Sequence, residues 1–224
     1  MAAFDLEDQE TIDEIKAWWR QYGLWVKLGI AALLLVAVGA GTWNWWQRSQ
    51  RTAAGGLYFQ LESAFDSRDT VRVRELANRL AADHPRSPYT PRAQMLAARR
   101  DFEAGKVEEA EQRLRTVVAD ASEPMLRDMA RLRLSAVLLD ERKHEEALQV
   151  LDKPEVPQNG RLFEDRRGDI LIGLGKPAEA RKAWQTAYDG ATRDTAFQAW
   201  IQLKLDSLGD EGKGTATAPA SGGN

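Results

Sequence analysis

Residues 166–187 read RRGDILIGLGKPAEARKAWQTA, and this stretch decides the fold. The small residue Gly168 precedes a turn that carries Gly175, and Ala180 and the large Trp184 follow that turn. A small residue on one helix and an alanine on the next allow two backbones to approach closely, while the large residue fills the adjacent space. Glycine ends a helix in the left-handed conformation without steric cost. The stretch therefore predicts a helix hairpin, which is a pair of helices joined by a tight turn.

The same pattern occurs twice earlier, in RDFEAGKVEEAEQRLRTVV (residues 100–118) and in LLDERKHEEALQVLDKP (residues 138–154). The alanine recurs at spacings of 37 and 33 residues, with a small residue before the turn and a large apolar residue after the alanine. The corresponding residues are Ala98, Ala110 and Leu114 in the first segment and Ser135, Ala147 and Leu151 in the second. A repeat of about 34 residues with these features resembles the tetratricopeptide repeat. The predicted fold is therefore all-α, a tetratricopeptide-like solenoid of stacked helix hairpins.

Several positions depart from that repeat. Gln94, Arg131 and Glu164 stand where the resemblance places a tryptophan, and Asp101 stands at the tyrosine position of the first unit. A further helix pair, GLYFQLESAFDS followed by TVRVRELANRLAADHP, precedes these units without the small residues, which predicts a degenerate unit. A last helix is predicted to begin after Asp194 as its N-cap and to cover the open end of the stack.

A long apolar segment lies near the N-terminus. Leu28 to Trp46 contains 19 uncharged residues, and a helix of that length rises roughly 28 Å, which matches a hydrocarbon core of about 30 Å. A cleaved signal peptide has a shorter apolar core and a basic lead-in, whereas this segment follows a long acidic one. The residues placed for the two membrane interfaces are Trp25, Lys27, Trp43, Trp45, Trp46 and Arg48. The sequence therefore predicts an uncleaved transmembrane helix over residues 24–47.

The remaining domain boundaries follow from this segment. Residues 1–23 form an acidic cytoplasmic leader with a short amphipathic helix, either an interfacial helix or a docking helix for a membrane partner. Residues 48–208 form the tetratricopeptide-like domain, and residues 209–224 form a disordered tail of Gly, Ala and Thr. Three basic residues precede the span and two follow it, a slight positive-inside bias toward a cytoplasmic N-terminus.

Composition and motifs argue against catalysis and against nucleic-acid binding. The net charge is −3, and the chain after Arg51 carries 26 basic and 28 acidic residues that are interleaved, which is typical of a solvated helical surface. There is no cysteine, and the two histidines, His84 and His144, lie at a helix end and in a turn. No metal, phosphate or nucleophile motif occurs. We therefore expect no enzyme activity, no cofactor, no metal, no nucleic acid and no small-molecule substrate.

Protein binding is the function that the repeats favour. In tetratricopeptide repeats the first helix of each hairpin lines the concave face, and apolar residues with arginine at the edge would suit an apolar peptide or a partner helix. The alternative is that several of these residues pack against the following hairpin. The candidate groove residues are Arg92, Met95, Arg99, Phe102, Met129, Leu132, Leu139, Leu162, Asp165 and Asp169.

Three stretches, IDEIKAWWRQYG, WNWWQRSQ and RRGDILIGLGKPAEARKAWQTA, make the chain similar to the YfgM family, the ancillary SecYEG translocon subunits of Gram-negative bacteria. The resemblance extends to about Leu208. It implies a single-pass inner-membrane protein with a periplasmic C-terminal domain, associated with Sec translocon subunits and with a membrane-anchored periplasmic chaperone of the prolyl-isomerase type. The implied function is an adaptor that links this chaperone to secreted or outer-membrane proteins. Two alternatives stay open: a scaffold of another cell-envelope assembly machine, and a cytoplasm-facing regulator if the topology is reversed.

Overall fold

The computed structural model describes residues 4–209, and within the first helix it describes side chains only at 16, 18–25, 27–28, 33–43 and from 52 onward. Every regular element in this part of the chain is a helix. The helices are α1 (Phe4–Asp66), α2 (Thr70–Asp83), α3 (Tyr89–Glu103), α4 (Val107–Asp120), α5 (Pro124–Asp140), α6 (His144–Val150), α7 (Gly160–Gly173), α8 (Pro177–Asp189) and α9 (Thr195–Ser207), with a short 3-10 turn at Pro157–Asn159. The predicted tail is residues 209–224; Gly209 is described, and residues 210–224 lie outside the described residues.

The chain divides into two compact units, Met1–Ala53 and Ala54–Asn224. In the first unit α1 continues through the predicted leader and the predicted span, so both boundaries fall inside one helix. Where side chains are described, no helix combines the length and the apolar character needed to cross a membrane. The side chains at 26, 29–32 and 44–47 of the predicted span are outside those described.

In the second unit four hairpins share one turn geometry, and this regularity explains the repeat spacing. After each first helix one residue adopts the left-handed conformation, with φ between 59° and 75°, and the next residue donates a backbone hydrogen bond to the carbonyl five positions earlier. These bonds satisfy carbonyl groups that the helix end leaves without a partner, as in a Schellman motif. The left-handed residues are Arg68, Gly105, Arg142 and Gly175.

The predicted hairpin interior is confirmed in the three regular units. Ala110, Ala147 and Ala180 are each 0% exposed, and the large residues that follow them are also buried. In the hairpin of α7 and α8, Trp184 packs directly against the backbone of Gly168. A Cβ added to Gly168 would lie 2.3 Å from Nε1 of Trp184. The indole N–H of Trp184 donates to the Asp165 carbonyl at 3.1 Å. The size of the large residue is thus matched by the absence of a side chain opposite it.

The predicted degenerate unit forms a hairpin with the sizes reversed. Counted from its left-handed turn residue, Leu61 and Val73 occupy the two small-residue positions, and Ala77 occupies the position of the large residue. All three are 0% exposed and belong to one apolar cluster with Leu76 and Leu80. The unit therefore keeps the packing volume of the repeat while losing its sequence signature, which is why the pattern alone could not align it.

Helix α9 begins after Asp194, as predicted, because this side chain accepts a hydrogen bond from the Phe197 amide at 3.1 Å. Ile201 and Leu205 are buried against the preceding hairpin. Gly209 follows with φ +62°, 34 positions after the previous turn glycine. Helix α9 is therefore the first helix of a fifth unit and covers the end of the stack, as terminal repeats of solenoids do.

Candidate partner-binding face

The first helices of the five units are the candidate partner-binding surface, and among them α5 contacts both α3 and α7. We call this surface the first-helix face, and it comprises equivalent positions on residues 54–66 of α1 and on α3, α5, α7 and α9. All predicted groove residues belong to its middle units. In the structure some of these residues are bound within their own domain and others are half-buried. Two are bound by α9, and Arg99 is exposed.

Some predicted groove residues are already engaged by their own domain. The two terminal nitrogens of Arg92, Nη1 and Nη2, donate to the Glu123 carboxylate at 3.0 and 2.8 Å. This arginine therefore links α3 to the start of α5. Met95 is 6% exposed and packs with Val117 and Ala130. Met95 is therefore a contact between hairpins rather than part of an open floor.

The middle of the face is half-buried. Met129, Leu132 and Leu139 pack partly against neighbouring apolar clusters, which is the alternative that the sequence left open, and Leu162 is likewise only partly exposed. Phe102 is 38% exposed at the end of α3. These side chains offer edges rather than whole surfaces to a partner.

Asp165 and Asp169 on α7 are engaged by the terminal helix. The Lys204 ammonium group donates to both carboxylates at 2.6 Å and lies 5.3 Å from the centre of the Trp200 ring. Burial raises the pKa of Asp165, although the nearby Lys204 opposes the shift. Beside this cluster Trp200 and Leu203 are 53% and 65% exposed, so the last helix adds an apolar surface that sequence reasoning had not assigned.

Arg99 is exposed, and its charge is already paired within the domain. Its Nε donates to Glu103 at 2.8 Å, and its guanidinium carbon lies 5.5 Å from the centre of the Phe65 ring. Arg133 on α5 makes no ion pair within the described part of the chain. Desolvation and the neighbouring Arg99 lower the pKa of Arg133. Arg133 was not a predicted groove residue, although it directly follows the predicted residue Leu132.

A cleft opens at the start of the face, in the degenerate unit. It has a volume of about 560 Å³ and is lined by α1 and by one residue of α3. Its lining residues are Phe59, Glu62, Ser63, Phe65, Asp66 and Leu96. None of these residues was a predicted groove residue, because the repeat pattern could not align the degenerate unit. The positions predicted on α3 did not include Leu96. The left-handed turn residue Arg68 aligns the degenerate unit with the three regular units.

Polar networks replace the missing aromatic residues of the repeat. Asp101, at the tyrosine position, is fully buried and binds Arg74 and Arg113, the latter at 2.7 Å. Gln94, at the tryptophan position, accepts from Arg113 at 2.6 Å and donates to the Ala77 carbonyl at 3.0 Å. These bonds join α2, α3 and α4, so the repeat is held by charge-assisted hydrogen bonds where aromatic packing is absent.

The predicted membrane-interface residues fall partly outside the described side chains. Trp25 and Trp43 are 71% and 64% exposed, and Lys27 is also exposed. The side chains of Trp45, Trp46 and Arg48 lie outside those described.

The two histidines occupy structural positions. The backbone N–H of His84 donates to the Leu80 carbonyl and ends α2. His144 begins α6, with its imidazole against Gly173 of α7. Among the described residues no group of three or more His, Asp or Glu side chains is arranged to hold a metal ion.

Comparisons with known proteins agree with this architecture. The model of the tetratricopeptide repeat-like domain family matches residues 16–210. The ancillary SecYEG translocon subunit of Neisseria gonorrhoeae is 28% identical, over 92% of this chain and 99% of that protein. Proteins of the same name from Haemophilus influenzae and Escherichia coli are 24% and 22% identical, over 92% and 90% of this chain and 100% and 96% of their own lengths. No solved structure matches the chain. The chain therefore belongs to the tetratricopeptide repeat-like domain family, and the predicted resemblance to the ancillary SecYEG translocon subunits is confirmed over about 92% of its length.

Proposed function

We propose that this chain is a non-enzymatic adaptor of the Sec translocon, anchored in the inner membrane, with its second unit as the protein-binding domain. The observation that carries the proposal is the similarity over nearly the full length of both chains to proteins named ancillary SecYEG translocon subunit. The first-helix face supports it, because a helical-hairpin stack presents a continuous surface to a partner.

The anchor is the segment Leu28–Trp46, whose length matches a bilayer and whose ends carry tryptophans. The proposed topology places the N-terminus in the cytoplasm and the second unit in the periplasm. An alkaline phosphatase fusion at the C-terminus tests this topology, since the enzyme is active only in the oxidising periplasm. We expect an active fusion, and an inactive fusion that is present at normal levels would contradict the topology.

The proposed partners are subunits of the Sec translocon and a membrane-anchored periplasmic chaperone of the prolyl-isomerase type. The adaptor would keep this chaperone close to secreted and outer-membrane proteins. The first-helix face is the proposed contact surface, with Arg99 and Phe102 as its accessible predicted residues and Arg133 beside them. The predicted residues that are already bound within the domain support this surface; they are Arg92, Met95, Asp165 and Asp169.

Chemical crosslinking in native membranes, followed by purification in mild detergent, tests the adaptor role. We expect recovery of Sec subunits and of a prolyl-isomerase-type chaperone with the wild-type chain. Recovery of neither, with abundant chain in the membrane, would overturn the proposal. Recovery of components of another envelope assembly machine alone would favour the scaffold alternative.

A further inference from the structure

We propose that the cleft in the degenerate unit binds a cationic amphipathic helix, one that presents two Lys or Arg residues one turn apart beside a large apolar side chain. This inference rests on the proposed function and names the chemistry that one part of the first-helix face recognises. The cleft is defined by Phe59, Glu62, Ser63, Phe65, Asp66 and Leu96.

The apolar part of the cleft is accessible. Phe59 is 72% exposed, which is unusual for a phenylalanine side chain. Phe65 and Leu96 are half-buried on either side of the floor. Arg100 lies against the Phe65 ring, 4.0 Å from its centre, and donates to the Phe65 carbonyl. Arg100 therefore holds Phe65 in place, while the exposed Phe59 can contact a ligand.

The charged part of the cleft lacks internal partners. Glu62 and Asp66 are exposed and, within the part of the chain that the structure describes, neither forms an ion pair. The guanidinium groups of Arg99 and Arg100, which lie over the Phe65 ring, are engaged by Glu103. The two carboxylates that line the cleft are therefore available to form ion pairs with a ligand.

One of the two carboxylates, Glu62, also has a partner that positions it. Glu62 interacts with the Tyr58 hydroxyl, and burial together with Glu62 raises the pKa of Tyr58. Tyr58 in turn stacks on Tyr89, with ring centres 5.2 Å apart. Glu62 and Asp66 are four residues apart on α1, so their side chains lie on one helix face about one turn apart. Two cationic side chains with the same spacing on a partner helix would match them.

The experiment uses the full-length chain in nonionic detergent micelles and a fluorescein-labelled 15-residue amphipathic peptide, with two lysines one turn apart flanking a phenylalanine. Matched peptides carry glutamate in place of the two lysines, or serine in place of the phenylalanine. Fluorescence anisotropy measures the dissociation constants, and micelles alone give the background. We expect wild type to prefer the lysine peptide to the glutamate peptide by about tenfold or more.

The double variant Glu62→Lys, Asp66→Lys should lose this preference or invert it, and Phe59→Ala should weaken binding of both charged peptides. Asp152→Lys and Val71→Ala are the matched controls, since these residues are exposed and lie outside the cleft. Both controls should bind as wild type does. Inversion of the preference also shows that the double variant is folded.

The inference is overturned if wild type does not distinguish the two charged peptides, or if the double variant binds the lysine peptide within about twofold of wild type. Crosslinking to Sec subunits is measured in parallel on the same proteins. Loss of peptide selectivity with normal recovery of Sec subunits refutes only the cleft. Normal peptide selectivity without recovery of Sec subunits refutes only the adaptor role.

Discussion

Replacement of Gly168 by alanine should destabilise the last hairpin, although alanine is normally the better helix former. An added Cβ would lie 2.3 Å from Nε1 and 2.4 Å from Cδ1 of Trp184. The indole cannot retreat easily, because Trp184 is 4% exposed and packs with Ile201 of α9. Its N–H would also lose the hydrogen bond to the Asp165 carbonyl.

The expected magnitude follows from three contributions. Gly to Ala inside a helix gains about 1 kcal/mol. Overpacking a buried site costs about 1–3 kcal/mol, and loss of one hydrogen bond costs about 1 kcal/mol. The free energy of unfolding should therefore fall by about 1–3 kcal/mol. Gly160→Ala is the matched control on the same helix, since no atom lies within 4 Å of its added Cβ, and it should be neutral or slightly stabilising.

Urea denaturation of the full-length chain in detergent, followed by far-UV circular dichroism, measures these changes. A second substitution, Trp184→Leu, copies the leucine of the other two regular units and should remove most of the cost of Gly168→Ala. The steric account is wrong if Gly168→Ala is as stable as the Gly160→Ala control. It is also wrong if the cost of Gly168→Ala is the same in the Trp184→Leu background.

Three further outcomes follow from the same structure. Asp101→Asn should lower the free energy of unfolding by about 2–4 kcal/mol, because Arg74 and Arg113 lose the buried carboxylate that both bind; a loss below about 0.5 kcal/mol in urea denaturation would contradict this. Arg142→Gly should raise the free energy of unfolding by about 0.5–1 kcal/mol, since φ is +62° at this residue and glycine accepts that conformation without steric cost; a destabilised variant would refute the reasoning. The Phe197 amide and Arg161 lower the pKa of Asp194, so its contribution to α9 is complete above the unfolded pKa of about 3.9 and is lost as the pH falls through the lower folded value. Hydrogen exchange of α9 should therefore accelerate relative to α8 in that acid range, and Asp194→Asn, which cannot titrate, should flatten the dependence.

The hairpins could be predicted from the sequence because their contacts are local. Ala110 meets the small residue of its own hairpin 12 positions earlier, and such short spacings repeat visibly along the chain. The N-cap residue Asp194 likewise indicated where α9 starts. The degenerate unit escaped alignment because Leu61 and Ala77 exchange large and small side chains at constant volume, and a sequence pattern reads identity rather than volume.

The state of the groove residues depended on contacts between hairpins. Met95 was placed in an open groove by its helix position, yet Ala130 of the next hairpin covers it. Asp165 and Asp169 have the expected helix position, but Lys204 of the terminal helix binds both. In the degenerate unit, Phe59 lies one residue after the position equivalent to Met95 and Asp165, and it stays exposed.

The sequence by itself determined the repeating helix pairs, the small-to-large packing within each regular pair and the start of the last helix. Tertiary structure alone decided which first-helix residues remain accessible, where the unpaired carboxylates of the cleft lie, and how Asp101 is satisfied. The physical reason is the range of the interactions. Packing within a hairpin is fixed by helical periodicity over about 20 residues. Burial and charge pairing between hairpins depend on more distant side chains, 27 residues apart for Arg74 and Asp101 and 39 for Lys204 and Asp165.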